Sequence, residues 1–283
     1  MKTAEMYQTL MSVLRPIYQE SEARSIALLV LGKRFGLSQT DVYLDKDSAF
    51  SENDNENLQN IYQRLSQGEP VQYVLGTADF GGLSFVVNRD VLIPRPETLT
   101  LVQASLIQLN GTEQPHILDV GTGSGCIAIA LQYYLNNKAC VTAWDISEAA
   151  LRVARENAER IGTDVRFVHA DVLQCCDNAS EERYHLIVSN PPYVRELEKT
   201  EMHRNVLEYE PHTALFVSDE DPLLFYRALA RLGKNSLLPG GSIVCEMNEN
   251  LPDETEKLFI DFGYKCMKTT DEMGKNRIII ATL

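Results

Sequence analysis

The sequence predicts an α/β protein: a mostly parallel sheet covered by helices on both faces, behind a small helical N-terminal domain. Two observations predict it. From residue 115 onwards, short apolar runs alternate with amphipathic helical segments, the pattern of a parallel sheet with crossover helices. Residues 1–76, by contrast, carry only helical periodicity. A length of 283 residues is ample for one large domain and a smaller one.

The N-terminal segment, 1–76, reads as three or four short amphipathic helices, a bundle suited to docking a protein substrate and without catalytic residues. "ESEARSIALLVLGKRFG" ends in Gly36, Ser38 caps "SQTDVYL", and "SENDNENLQNIYQRLSQG" opens on Ser51 with acids in its first turn and stops at Gly68. Residues 77–98 read as a β-hairpin and linker. Gly81-Gly82 turns between two strand-like stretches, and Pro94 and Pro96 stiffen the connection. Residues 99–283 form the α/β domain. Its expected strands are "HILDV", "CVTAWD", "VRFVHA", "YHLIVSN", "GSIVCEM", "YKCMKTT" and "NRIIIAT"; the helices between them include "SEAALRVARENAER" and "DPLLFYRALARLG".

Composition narrows the function. Lys and Arg number 26 against 40 Asp and Glu, a formal charge of −14. Proteins that grip phosphate backbones usually present basic surface, so direct nucleic-acid binding is not expected, whereas a basic protein partner suits the charge. No apolar run reaches membrane-spanning length, and the first 20 residues lack the apolar block of a signal peptide, which predicts a cytoplasmic protein with no membrane association. Six cysteines without a C-x-x-C pair read as reduced, mostly core residues, and no metal site is expected.

"HILDVGTGSGCIAIAL" is a buried strand, a glycine-rich turn and a helix. Gly121, Gly123 and Gly125, with Thr122 and Ser124 between them, let the backbone approach a ligand at the carboxyl end of the sheet. The dinucleotide fingerprint would need a third glycine where Cys126 stands. The turn, preceded by Asp119, resembles the first motif of S-adenosylmethionine-dependent methyltransferases more than a pyrophosphate cradle. Asp145, at the tip of the next strand and followed by Ile146, is placed to accept both ribose hydroxyls of a nucleoside. Asp171 is positioned for the adenine amino group and Val172 for its ring face. Three such tips on three successive strands predict the cofactor site.

At the fourth tip stands "SNPPYV". Asn190 and Pro191 each precede a proline and are biased to extended backbone, and Pro191 and Pro192 lack N–H groups but keep their carbonyls. The motif can present the Asn190 side-chain oxygen and the Pro191 carbonyl side by side, with Tyr193 as a flat wall. That suits a planar –NH₂ group, either the exocyclic amine of adenine or cytosine or a carboxamide of Gln or Asn. Asn190, Pro191 and Tyr193 are therefore the catalytic candidates, Pro192 joins them in substrate binding, and Asn190 also borders the cofactor. The sequence names no obvious base beyond His212, a weak candidate.

On these motifs, with "GEPVQYVLGTADFGGLSF", "VLIPRPET", "YEPHTALF" and "LPGG", the chain resembles the PrmC/HemK family of peptide chain release factor N5-glutamine methyltransferases from about residue 68 to the end. The resemblance implies a seven-stranded, Rossmann-like S-adenosylmethionine-dependent methyltransferase domain, and methyl transfer to the glutamine of the GGQ loop of release factors, modulating translation termination. A monomer is expected. Arg95 and Glu97 are candidates to support the methionine end of the cofactor. Two departures stand out: Leu99 where the family continues "PRPETE", and "EMNEN" with Leu251 where it reads "EIG..Q". Two rival substrates are a glutamine of a ribosomal protein, in a sister family with the same NPPY, and the N6 of adenine in nucleic acid, which would call for a basic cleft or a base-flipping domain. A binding protein that has lost catalysis is opposed by the intact motifs.

Overall fold

The computed structural model describes residues 2–45, 51–177, 182–270 and 274–283. The chain divides into two units. The N-terminal unit runs to Thr77 and takes in His203–Tyr209; the C-terminal unit comprises Ala78–Met202 and Glu210–Leu283.

Among the described residues, five helices of the N-terminal unit come from its first segment: α1 (Thr3–Leu14), α2 (Glu20–Phe35), α3 (Gln39–Tyr43), α4 (Glu52–Ser66) and α5 (Val71–Leu75). The boundaries follow local chemistry. Gly36 ends α2 in a left-handed conformation at φ 66°. Ser38 and Asp41 form a capping box on α3, and Ser51 and Asp54 another on α4. Met6, Leu10, Leu14, Leu31, Leu58 and Leu65 fill the core. Residues 203–209 read from the sequence as part of the α/β domain but cluster with this unit, where the Tyr209 hydroxyl donates to the Gln67 carbonyl at 3.0 Å. That contact spans 142 residues, so no local pattern announces it.

The C-terminal unit begins one residue into the hairpin of β1 (Thr77–Phe80) and β2 (Leu83–Val86). There follow, in order, α6 (Leu99–Gln108), β3 (His116–Val120), α7 (Cys126–Tyr134), β4 (Cys140–Asp145), α8 (Glu148–Ile161), β5 (Val165–His169), α9 (Val172–Cys175), β6 (Tyr184–Ser189) and β7 (Val194–Arg195). After α10 (Arg204–Tyr209), which lies in the other unit, come β8 (Phe216–Val217), α11 (Leu224–Ser236), β9 (Leu237–Glu246), α12 (Pro252–Asp261), β10 (Lys265–Thr270) and β11 (Asn276–Thr282). Seven strands form one sheet in the order β10-β11-β9-β6-β3-β4-β5, parallel except for β11. Successive residues of β3 alternate faces: Ile117 packs with α6 and α7 on one side, Leu118 with α11 and α12 on the other. Because β3 leads to β4 on one flank and pairs with β6 on the other, the connections diverge above β3 and β6. Ligands of open α/β sheets bind at such a switch point.

Candidate active site

The crevice is set by the register of two strands. Val120 and Ser189 are paired across β3 and β6, and the Ser189 hydroxyl donates to the Val120 carbonyl at 2.7 Å. Gly121 and Asn190 therefore leave the sheet side by side. Above them lies a cavity of about 550 Å3, within the range of small-molecule sites. Its lining includes Gly121, Thr122, Gly123, Ser124, Asp145, Ile146, Asp171, Val172, Asn190, Pro191 and Pro192.

One half of the crevice is organised around the glycine turn. The amides of Gly121 and Thr122 both donate to the Trp144 carbonyl at 2.9 Å. Gly121 sits at φ 75°, and a side chain there would project into open space on the cavity wall, so glycine keeps the cradle both unstrained and empty. At Gly125, φ 81°, a Cβ would lie 2.8 Å from Ile129 Cδ1 and 3.1 Å from Ala154 Cβ; here the need is close packing of α7 on α8. Gly125 itself is absent from the cavity lining. Asp145 accepts one hydrogen bond on each oxygen, from Gly123 N and from Ser147 N, both at 2.8 Å, which leaves lone pairs on both. Burial pushes its carboxyl above the usual range, and those two backbone bonds oppose the shift. Asp171 caps α9, accepting from Leu173 N and Gln174 Nε2 at 2.9 Å, while remaining on the cavity wall.

The other half is organised around Asn190. Its Nδ2 donates to Thr98 Oγ1 at 3.3 Å, and Thr98 donates to Glu246 Oε2 at 2.9 Å. The Tyr193 hydroxyl donates to the other carboxylate oxygen, Oε1, at 2.7 Å. Tyr193 is not part of the cavity lining; its ring packs against the core beside α11 and β9. The aromatic residues in the lining are instead Phe216, whose ring also carries the Lys199 ammonium at 4.3 Å, and Phe225. Arg95 lines the cavity with its guanidinium held by the buried Glu210, at 2.6 Å. Glu97 is exposed and outside the lining. His212 is also exposed, its ring edge-on to Phe216.

Residues 5–76 match the family described as PrmC N-terminal domain, and residues 100–212 match the Methyltransferase small domain. The chain is 44% identical over 269 residues to the release factor glutamine methyltransferase of Bacteroides thetaiotaomicron, covering 95% of each. It is 41% identical to that of Flavobacterium psychrophilum, covering 94% of each. The chain belongs to the release factor glutamine methyltransferase family. A methyltransferase from Pyrococcus furiosus shares the fold, with a TM-score of 0.50, 19% identity, and coverage of 82% of this chain and 98% of that one.

The cofactor of this methyltransferase is S-adenosylmethionine. The crevice fits it, since the open cradle at Gly121 and Gly123 and the spare lone pairs of Asp145 lie on one wall. The departures of this family member have structural consequences of their own. Asn248 donates through Nδ2 to the Tyr193 carbonyl at 2.9 Å and to Glu198 Oε2 at 3.0 Å, tying the segment after NPPY to the end of β9. Leu251 stands at the start of α12, its carbonyl accepting from Thr255. Leu99 packs near the hairpin turn, its Cδ1 3.2 Å from where a Gly81 Cβ would stand.

Four structural residues were missed from the sequence. Glu246 and Thr98 had no local signal. Glu210 sits in "YEPHTALF", which marked the family but not its pairing with Arg95. Asn157, buried on α8, holds β2 through Val86 N at 2.6 Å and the glycine turn through the Ser124 carbonyl at 2.9 Å. A lone Asn within an amphipathic helix, on its buried face, is the signal that could have found it.

Proposed function

We propose that this enzyme transfers the methyl group of S-adenosylmethionine to the side-chain amide nitrogen (N5) of the glutamine in the GGQ loop of peptide chain release factors. The observation that carries this reading is the orientation of Asn190. With its NH₂ group donated to Thr98, its oxygen remains to accept from a substrate at the cavity wall. In this reading the Asn190 oxygen takes one hydrogen of the substrate amide and the Pro191 carbonyl the other. An amide nitrogen is a poor nucleophile because its lone pair is delocalised; holding both hydrogens returns electron density to nitrogen and fixes its approach. Orientation of this kind contributes up to roughly 7–11 kcal/mol in the best intramolecular cases.

S-Adenosylmethionine supplies an activated methyl on sulfonium sulfur. As nitrogen forms its bond to the methyl carbon, the carbon–sulfur bond breaks and sulfur keeps the electron pair. The nitrogen, now cationic, loses a proton to solvent, so no strong base is needed beforehand. Phe216 and Phe225 are assigned to the faces of the substrate amide, the wall expected of Tyr193. Asp145 is assigned to the ribose hydroxyls, Ile146, Asp171 and Val172 to the adenine, and the glycine turn to the methionine portion.

The N-terminal unit is assigned to orienting the release factor, and the enzyme acts in the cytoplasm as a monomer without direct nucleic-acid contact. Among the described residues no helix is long and apolar enough to cross a membrane. Mass spectrometry of a release factor incubated with enzyme and S-adenosylmethionine should find a single methyl on the GGQ glutamine. Methylation of a ribosomal protein glutamine, or of adenine, with the release factor untouched would overturn the substrate. Cross-links confined to the C-terminal unit would overturn the docking role.

A further inference from the structure

The geometry points to Thr98 and Glu246 as positioning residues that hold the Asn190 carboxamide in its productive orientation, through a hydrogen-bond relay whose direction is imposed by a buried carboxylate. This deepens the reading of Asn190 above and rests on it.

Glu246 is 2% exposed and ends β9; Thr98 is 3% exposed and precedes α6. An ionised carboxylate only accepts, so the hydroxyl proton of Thr98 must point at Oε2 and that of Tyr193 at Oε1. With its proton committed, Thr98 faces Asn190 with a lone pair, and only the NH₂ end of Asn190 can answer it. The Asn190 oxygen is thereby the end left for the substrate. A threonine alone could not enforce this, because a free hydroxyl serves either end of a carboxamide. The second bond to Glu246 holds Tyr193, so one carboxylate fixes both ends of the NPPY motif. Neither Glu246 nor Tyr193 lines the cavity, which makes their effect indirect.

Protonation of Glu246 would reverse the relay. A carboxylic acid donating to Thr98 turns the hydroxyl proton towards Asn190, which must then present its oxygen to Thr98 and its NH₂ to the substrate. Burial pushes the Glu246 carboxyl above the usual carboxylate range, against the bonds from Tyr193 and Thr98. The other titratable groups facing it are Glu97, which raises it further, Arg277, which lowers it, and the buried Tyr226 and Cys245.

The test compares Thr98→Val, Thr98→Ser, Glu246→Gln and Asn190→Ala, using the full-length enzyme, a whole release factor and saturating S-adenosylmethionine. Thr98→Val should lower kcat about 100-fold, as loss of a preorganised catalytic contact does, with cofactor Kd and Tm near wild type. Thr98→Ser, which keeps the hydroxyl, should restore most of it. In the wild type kcat should fall on the acidic side as Glu246 takes up its proton, and Glu246→Gln should lower kcat and remove that limb. Should Glu246→Gln fail to fold, the Thr98 pair decides alone. Wild-type kcat in Thr98→Val alongside an inactive Asn190→Ala would overturn the relay and leave the reading of Asn190 standing. Wild-type kcat in Asn190→Ala would overturn both.

Discussion

The two halves of the crevice are built by opposite means. On the cofactor side, polar side chains are held by partners close in sequence: Asp145 by Ser147 and Gly123, Asp171 by Leu173 and Gln174, Thr122 by Asp119. The longest of these spans 22 residues. On the amide side, Asn190 reaches Thr98 across 92 residues, Thr98 reaches Glu246 across 148, and Tyr193 reaches Glu246 across 53. Apart from the Asn157 bond to the Ser124 carbonyl, a site made of strand-to-helix turns needs only its own strand and the neighbouring one. A site made of long-range side-chain contacts exists only once the sheet, the linker and α6 have packed. The cofactor half should therefore withstand distant substitutions that disable the amide half.

The largest effect is expected at the head of the long-range network. Asn190→Ala should reduce kcat at least about 100-fold while leaving the protein folded. Asn190→Asp sharpens the comparison, since it can accept from substrate but cannot donate to Thr98. Activity close to wild type in single-turnover assays of Asn190→Asp would show that acceptance suffices and that the long-range contact is dispensable.

Next is Asp145, the centre of the local half. Asp145→Ala should weaken S-adenosylmethionine binding at least about tenfold, since the ribose would lose a charged acceptor and one such bond is worth about 1.5–3 kcal/mol. Unchanged affinity by calorimetry would remove Asp145 from the cofactor site.

A smaller effect is expected at the Asn248 clamp. Asn248→Gly removes the bonds to the Tyr193 carbonyl and Glu198, and the Oδ1 that accepts from Asn250 N. The bond to the Tyr193 carbonyl is the one that bears on the NPPY segment; at about 1 kcal/mol for it, kcat/KM for the release factor should fall about fivefold with cofactor Kd unchanged. An equal loss in cofactor affinity would break the separation of the two halves. Burial alone would raise the Glu198 carboxyl, but hydrogen bonds from Arg195, Asn250 and Asn248 outweigh it and hold the group at about 2. Its contribution is then present above the ordinary carboxylate pKa and is lost only as pH falls towards 2. Glu246, shifted the other way, titrates first as pH falls.

The smallest expected effect concerns stability rather than chemistry. Burial pushes the Asp119 carboxyl to about 7 from 3.8, against the Thr122 bond and with the charge of Asp145 adding to it. The folded protein takes up this proton below about 7, the unfolded chain only near 4, so Asp119 favours folding at low pH and loses that contribution as pH rises through 7. Cofactor-free Asp119→Asn should melt above wild type at pH 8, with the gap narrowing towards pH 5. A gap that is constant with pH would mean that Asp119 does not titrate in this range.

By itself the sequence determined the strands, the glycine turn and the tips of β4, β5 and β6, because these depend on alternation, φ-permissive residues and caps within a few positions of one another. "HILDV" and "CVTAWD" are β3 and β4 residue for residue, and Ser38 and Ser51 cap the helices they precede. Only the tertiary structure decided which side chains surround the NPPY motif. Tyr193, legible as an aromatic next to the prolines, turns its hydroxyl onto Glu246, and the aromatic residues lining the cavity are Phe216 and Phe225. Tertiary packing likewise assigned residues 203–209 to the N-terminal unit. The physical reason is the same in each case: a hydrogen bond across some 50 to 150 residues leaves no periodicity in the chain, and its partners become neighbours only when β9, the linker and β6 are brought together by burial of the apolar faces between them.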